Sequence, residues 1–495
     1  NVKINPFPSE SQFRQGGLFS ARATTMKSSP PNTTRRFLLK KSAATAFGFS
    51  VMPSYLALGK PDDEGNVPPS QRINLGCVGV GGRAASVIPG ICQGGFAQPV
   101  ALCDVDFNAR NIQKNLEKYP EAKQFADFRV MLDKMGDDID AVSVVTPDHT
   151  HYVATIAAMQ LGKHVYVEKP LTHTYREADL LMKAEQKYGV VTQMGNQGHS
   201  SAGSEQFKNL VNKGIIKDIV KIESWKSGGL WFMNAANRIS EYPAEEPKPA
   251  TLDWDIWCGP KEMKPFSSLY HPFSWRGFHL YGNGMLGDWG AHIIDFAHDF
   301  LKLGLPTKIE AIEMADHNQV IFPLISKLAM HFPARGEGLP ACDLTWEDRN
   351  DNCAPEVSET FWDGDTAPNL GRVGTLLHRE DGAFVVQRGS HASVSRIYPR
   401  DEMMKYKDDI KVPGPEFNHQ GSFTQACLGN CTTNSPFSIA APLTKVLILG
   451  VICQYLNESL EFVPETETFK GNTNANDLLA GPAPRSGWEG FYEGI

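Results

Sequence analysis

The amino-acid sequence predicts an α/β protein whose N-terminal part is a doubly wound parallel sheet, and three observations predict it. An apolar run beginning at Arg72 flows into a glycine-rich turn at Gly79. A second apolar run ends in an acid, Asp104, 23 residues beyond the central glycine of that turn. Further apolar runs then follow in strand–helix rhythm, each ending in polar residues. Short apolar runs that alternate with helix-compatible segments are the pattern of βαβ units, whose strands lie parallel.

The turn reads Gly79-Val80-Gly81-Gly82-Arg83-Ala84, the pattern G-x-G-x-x-A. Gly79 permits the tight turn, Gly81 lets the backbone approach a pyrophosphate, and the small Ala84 lets the helix pack on the strand; the helix N-terminus then favours negative charge. Gly82 and Arg83 complete the candidate phosphate-binding loop, with a plain surface arginine as the alternative reading of Arg83. The second strand, Pro99 to Asp104, supplies the acid. A carboxylate there accepts both hydroxyls of an adenosine ribose and repels a 2′-phosphate, so the expected cofactor is NAD rather than NADP. A helix cap is the alternative role for Asp104.

The run Asp140 to Thr146 ends in Pro147-Asp148-His149-Thr150-His151, and Gly162 to Val167 ends in Glu168-Lys169-Pro170. A last strand, Val190 to Met194, ends in Gly195-Asn196-Gln197. Ligands of such sheets lie beyond the carboxyl ends of the strands, which makes Thr146, Pro147, His151, Glu168, Lys169 and Gln197 further candidates for cofactor contact.

Bulk properties narrow the classes. The chain has 495 residues, enough for about three typical domains. Its formal charge of −8 is modest and unclustered, so nucleic acid is not an expected partner. The nine cysteines form no C-x-x-C pair and no Cys/His cluster, which argues against a disulfide framework or a structural zinc site. No apolar run reaches the roughly 20 uncharged residues of a membrane-spanning helix.

Near the start, Thr34-Arg35-Arg36-Phe37-Leu38-Leu39-Lys40 precedes a small, apolar stretch from Ala43 to Leu58, the layout of an export signal. The arginine pair resembles the twin-arginine signal, although Phe37 follows it directly. The reading implies export to the periplasm with the twin-arginine machinery as a partner. No clean Ala-x-Ala closes the apolar stretch as a cleavage site, so an uncleaved signal serving as membrane anchor is the alternative.

Four ordered features now coincide: the glycine turn, Thr146-Pro147-Asp148-His149-Thr150-His151, Glu168-Lys169-Pro170, and Gly287-Asp288-Trp289-Gly290-Ala291-His292. Together they resemble the glucose-fructose oxidoreductase and inositol dehydrogenase family (Gfo/Idh/MocA). The segment Leu252 to Pro260 and the tail Gly487-Trp488 resemble its exported branch. The resemblance implies a C-terminal α+β domain with an open-faced mixed sheet, a homodimer or homotetramer, and catalytic roles for Lys169, Asp288 and His292. Asp288 and His292, four apart, share a helix face, so the carboxylate is expected to orient the imidazole. Such a histidine suits taking a hydroxyl proton while hydride leaves the same carbon, and Lys169 suits stabilising the growing alkoxide. The duller alternatives are a capping Asp288 and a core His292; no third ligand accompanies them, so no metal is expected.

Between Trp225 and Tyr281 the chain is rich in aromatics, whose faces stack on the apolar C–H edges of sugar rings. Trp231, Arg238, Tyr270, His271 and Arg276 are the candidate substrate contacts, a sugar or glycoside being the expected substrate. The expected organisation is a tail at 1–33, the signal at 34–60, a linker at 61–71, the dinucleotide-binding domain at 72–195 and a substrate and oligomerisation domain at 196–495. The expected activity is oxidation of a carbohydrate hydroxyl. Elimination or hydrolysis through transient oxidation, and sugar binding without chemistry, are the competing classes.

Overall fold

The computed structural model describes residues 67–68 and 71–495, apart from 233, 338, 360–361, 363–366 and 412–413. The tail, the export signal and most of the linker read from the sequence lie outside the described residues.

Six strands form the first sheet: β1 (Ile73–Val78), β2 (Ala97–Cys103), β3 (Lys123–Phe125), β4 (Ala141–Val144), β5 (His164–Val167) and β6 (Thr192–Met194). They lie in the order β3-β2-β1-β4-β5-β6, and every pairing is parallel. Helices cover both faces, so β4 is buried throughout and β1 nearly so. That two-sided burial is why these strands read as continuous apolar runs rather than as alternating ones. The strand order reverses between β1 and β4, which opens a crevice at their carboxyl ends. Strand β3 was not anticipated: it is a three-residue edge with two exposed polar side chains and carries no hydrophobic signal.

The second sheet holds nine strands: β7 (Ile219–Ser227), β8 (Lys308–Ala315), β9 (Ile325–Phe332), β10 (Cys342–Arg349), β11 (Val373–Arg379), β12 (Phe384–Arg388), β13 (Arg396–Tyr398), β14 (Leu460–Val463) and β15 (Thr468–Phe469). Their order is β13-β12-β11-β7-β10-β9-β8-β14-β15, with β7 and β10 parallel and the other pairs antiparallel, so the sheet is mixed, as expected.

The helix Phe437–Leu456 is long and apolar enough to cross a membrane. It is instead a core helix of the described structure, mostly buried. Its single charge, Lys445, is buried and satisfied by Asp179 at 2.9 Å and Glu467 at 2.9 Å. All nine cysteines are free thiols.

Candidate active site

The crevice at the strand reversal is a cleft of about 610 Å³. Its floor is the glycine turn. Gly79 sits at φ +78°, and a Cβ there would lie 2.4 Å from the carbonyl oxygen of Val145, so the position admits only glycine. Gly81 passes close to Asn111 and Ile112, whereas nothing stands within 4 Å of where a Gly82 side chain would be. The N–H groups of Gly81, Gly82 and Arg83 find no acceptor among the described residues. They precede the helix Ala84–Ile91, whose positive end adds to the same field. Ala84 is fully buried beneath the turn, where its small size brings helix and strand together.

Asp104 follows β2 and lines the cleft. Its carboxylate accepts the N–H of Val80 at 2.9 Å and of Asp106 at 3.3 Å, so it ties the glycine turn to the second strand rather than capping a helix. Burial pushes its pKa up against those two hydrogen bonds. A tight glycine turn, unpaired N–H groups and an acceptor at the far strand end together fit a dinucleotide: phosphates on the turn, ribose at Asp104.

Thr146, Pro147, Glu168, Lys169 and Arg83 also line the cleft. Glu168 is buried and holds Arg83 at 3.5 Å; burial raises its pKa, and Arg83 opposes that rise. Two candidates stand behind this wall. Gln197 donates to Glu168 at 3.1 Å and to the Tyr166 hydroxyl at 3.2 Å. The His151 ring lies 2.8 Å from the carbonyl oxygens of both Pro170 and Thr146, bracing one loop against the other; burial lowers its pKa to about 4.

The strand-end lysine and the later helix meet. Lys169, at the end of β5, donates to the carboxylate of Asp288 and, at 3.2 Å, to its carbonyl oxygen. Asp288 lies in the helix Gly284–Ile293, and Arg276 approaches its carboxylate to 3.8 Å. Here the sequence expectation needs correction: no hydrogen bond joins Asp288 to His292. A cation from the other domain, satisfied at the carboxylate, has taken the place expected for the imidazole. His292 is buried one turn further along, with Nδ1 lacking a partner, and its ring centre lies 4.5 Å from that of His391. Burial, aided by nearby Lys169, drives its pKa well down, so the ring is neutral at neutral pH. Asp295 pairs with buried His199 at 3.0 Å.

Among the cleft residues to which the sequence analysis assigned no role is a buried acid. Asp148 is buried beside Asp288 and accepts the N–H of Asn283 at 3.1 Å; burial and then the Asp288 charge push its pKa to about 7. Its place in the same Pro-Asp-His turn as Thr146 was the available signal.

Of the five substrate candidates, Trp231, His271 and Arg276 line the cleft. Arg238 and Tyr270 do not. The Arg238 guanidinium is spent on Asp316 at 2.6 Å and on the carbonyl oxygens of Phe232 and Phe322, a clamp outside the cleft. Tyr270 is fully buried in an aromatic cluster against Trp254, Phe278 and Tyr281. Among the described residues, no group of three or more His, Cys, Asp or Glu is placed to hold a metal ion.

Comparison with known proteins agrees with this layout. Residues 73–196 match the NAD-binding Rossmann fold of the Gfo/Idh/MocA oxidoreductase family, and residues 201–326 match that family's C-terminal alpha/beta domain. The chain is 29% identical over 153 residues to inositol 2-dehydrogenase of Salmonella typhimurium, covering 29% of this chain and 43% of that protein. It is 30% identical over 134 residues to 2,7-anhydro-N-acetylneuraminate hydratase of Mediterraneibacter gnavus, covering 27% and 33%. These alignments span less than half the length of either relative. In structure it resembles the WlbA dehydrogenase of Bordetella pertussis, solved with NADH and UDP-GlcNAcA, with a TM-score of 0.53 at 16% identity over 79% of this chain and 99% of that one. That likeness speaks for the fold. With both halves of the family pattern matched and the glycine turn and Lys169–Asp288 pair in one cleft, the chain belongs to the Gfo/Idh/MocA oxidoreductase family.

Proposed function

We propose that the chain is an NAD(H)-dependent oxidoreductase that moves a hydride between a hydroxyl-bearing carbon of a sugar or glycoside and the bound nicotinamide. The observation that carries this reading is the Lys169–Asp288 pair, set in the same cleft as the glycine turn and Asp104. The nicotinamide, when bound, accepts the hydride. Lys169 then hydrogen-bonds the substrate oxygen and favours the negative charge that grows on it, while Asp288 fixes the ammonium in place and Arg276 approaches the same carboxylate. Neutral His292 is the acceptor this reading assigns to the hydroxyl proton. Asp104 favours NAD over NADP, because a 2′-phosphate would meet its carboxylate.

A second reading uses the same first step. The similarity to a hydratase favours a cycle in which the sugar is oxidised transiently, a substituent is eliminated or added, and the hydride returns. Purified protein given NAD and a glycoside separates the two. Stoichiometric NADH supports net oxidation, release of the substituent without NADH supports the second reading, and neither product from any carbohydrate offered contradicts both.

The same reading extends to the N-terminus, where Arg35-Arg36 and the apolar stretch from Ala43 to Leu58 support export by the twin-arginine route. That route carries folded proteins, so the cofactor travels inside the chain and is regenerated on it. Protein isolated from the periplasm and desalted is therefore expected to retain nucleotide. A homodimer or homotetramer is the assembly that the family relationship supports.

A further inference from the structure

We infer that Trp231, Phe273 and Arg276 form an outer subsite for a second sugar ring, so that the substrate is a glycoside held by two rings rather than a free monosaccharide. The inference rests on the oxidoreductase reading and specifies its substrate.

Reading outward from the reacting pair, Arg276 stands 3.8 Å from the Asp288 carboxylate. Its guanidinium lies 4.2 Å from the buried Trp275 ring and 5.1 Å from the Phe273 ring. Phe273 is thus one step farther out than the residues that would grip a reacting hydroxyl. It lines the cleft while 53% exposed, whereas Trp257 and Trp275 of the same wall are only 4% and 3% exposed. A single exposed aromatic needs no explanation by itself. This one is held in place by a cation on one side and by Trp231, ring centre 6.1 Å away, on the other.

Trp231 supplies an independent observation. Its backbone sits at φ +34° and that of Phe232 at +52°, a region that bulky residues rarely enter. Strain of this kind persists where the surroundings enforce it and concentrates at ligand sites. Gly277, next to Arg276, makes room for it: a Cβ on Gly277 would lie 2.6 Å from the Phe232 ring and 3.0 Å from Trp231 Cβ. Phe232 is in turn wedged edge-on against Phe278 at 5.1 Å. The strained turn places the Trp231 indole in the cleft wall with its buried Nε1–H lacking an acceptor. An aromatic face for C–H edges, an unpaired indole donor and a guanidinium for ring hydroxyls are what a sugar ring requires.

The test compares α- and β-linked disaccharides with the methyl glycosides of their reacting rings, by NAD-linked turnover and by titration of tryptophan fluorescence. In Phe273→Ala, kcat/KM and affinity for the preferred disaccharide are expected to fall at least tenfold more than for its methyl glycoside, and Phe273→Tyr is expected to restore most of the difference. Trp231→Gly removes the indole and that residue's own positive-φ strain, and is expected to show the same selective loss. Equal losses on both sugars, or no loss on either, would overturn the subsite. If no sugar is turned over, the oxidoreductase reading fails, and the fluorescence titration alone still decides whether a second ring binds here.

Discussion

The ammonium of Lys169 is bonded to the carboxylate of Asp288, 119 residues later in the chain, and this contact joins the end of β5 to the helix Gly284–Ile293. Both side chains are nearly buried, at 15% and 12% exposure, so the pair is formed in surroundings where a cation and an anion interact strongly. Removing either partner leaves the other charge poorly compensated. Lys169→Ala and Asp288→Ala are therefore each expected to lower kcat by about 10²-fold or more, as for loss of a group acting in the transition state. Steady-state kinetics on the purified variants, with circular dichroism to verify the fold, checks this. Near-normal turnover in either variant would remove that residue from the mechanism.

His292 has its pKa pushed well below the usual imidazole value, first by burial and then by Lys169. A lowered pKa keeps the neutral, proton-accepting form populated as the pH falls. The rate of hydroxyl oxidation, as kcat/KM, is thus expected to stay level through pH 6.5 and to decline only in more acid solution. Lys169→Met takes away one of the opposing charges and should move that limb toward higher pH. A limb that stays fixed in Lys169→Met would contradict the assignment.

Asp104 holds the N–H of Val80 and faces the cleft. Replacing it by Ala removes both a ribose acceptor and the charge that disfavours a 2′-phosphate. Asp104→Ala is expected to weaken NAD binding by roughly tenfold, about 1.4 kcal/mol, and to narrow the preference over NADP. Calorimetric titration with both nucleotides measures it, and an unchanged ratio of the two affinities would refute the role.

Asp148 carries a prediction about stability. Its folded pKa, about 7, is raised above the ordinary carboxylate value of 3.8, mainly by burial. The native state therefore holds a proton that the unfolded chain releases. The contribution is fully present below about pH 4 and is lost as the pH rises through 7. Asp148→Asn keeps an oxygen for the Asn283 N–H without the charge, so its Tm should fall less than that of the parent between pH 5 and 8. Parallel Tm curves for the two proteins would contradict the assignment.

Much of the first sheet was legible because its strands are buried on both faces and so read as apolar runs, and because the glycine turn has a steric reason that survives in one sequence: the Cβ excluded at Gly79. The Lys169–Asp288 contact was not legible as a contact. Helical spacing paired Asp288 with His292, whereas the fold offered it a stronger partner from a distant strand end. Arg238 and Tyr270 failed as substrate contacts for a related reason. Composition marks an aromatic-rich segment, but only packing separates a ring such as Tyr270, fully buried, from Phe273, which faces the cleft. Strand β3 was missed because a short exposed edge has no hydrophobic pattern.

The most direct test of the central claim is isotopic. The protein is incubated with NAD and carbohydrates deuterated at their ring carbons, and the nicotinamide is then examined by mass spectrometry and NMR. Net oxidation predicts deuterium at C4 of the recovered nicotinamide, a cycle that returns the hydride predicts it at C4 only in rapidly quenched turnover, and both predict its loss in Lys169→Ala. Turnover of a deuterated sugar with no label ever reaching the nicotinamide would contradict the claim.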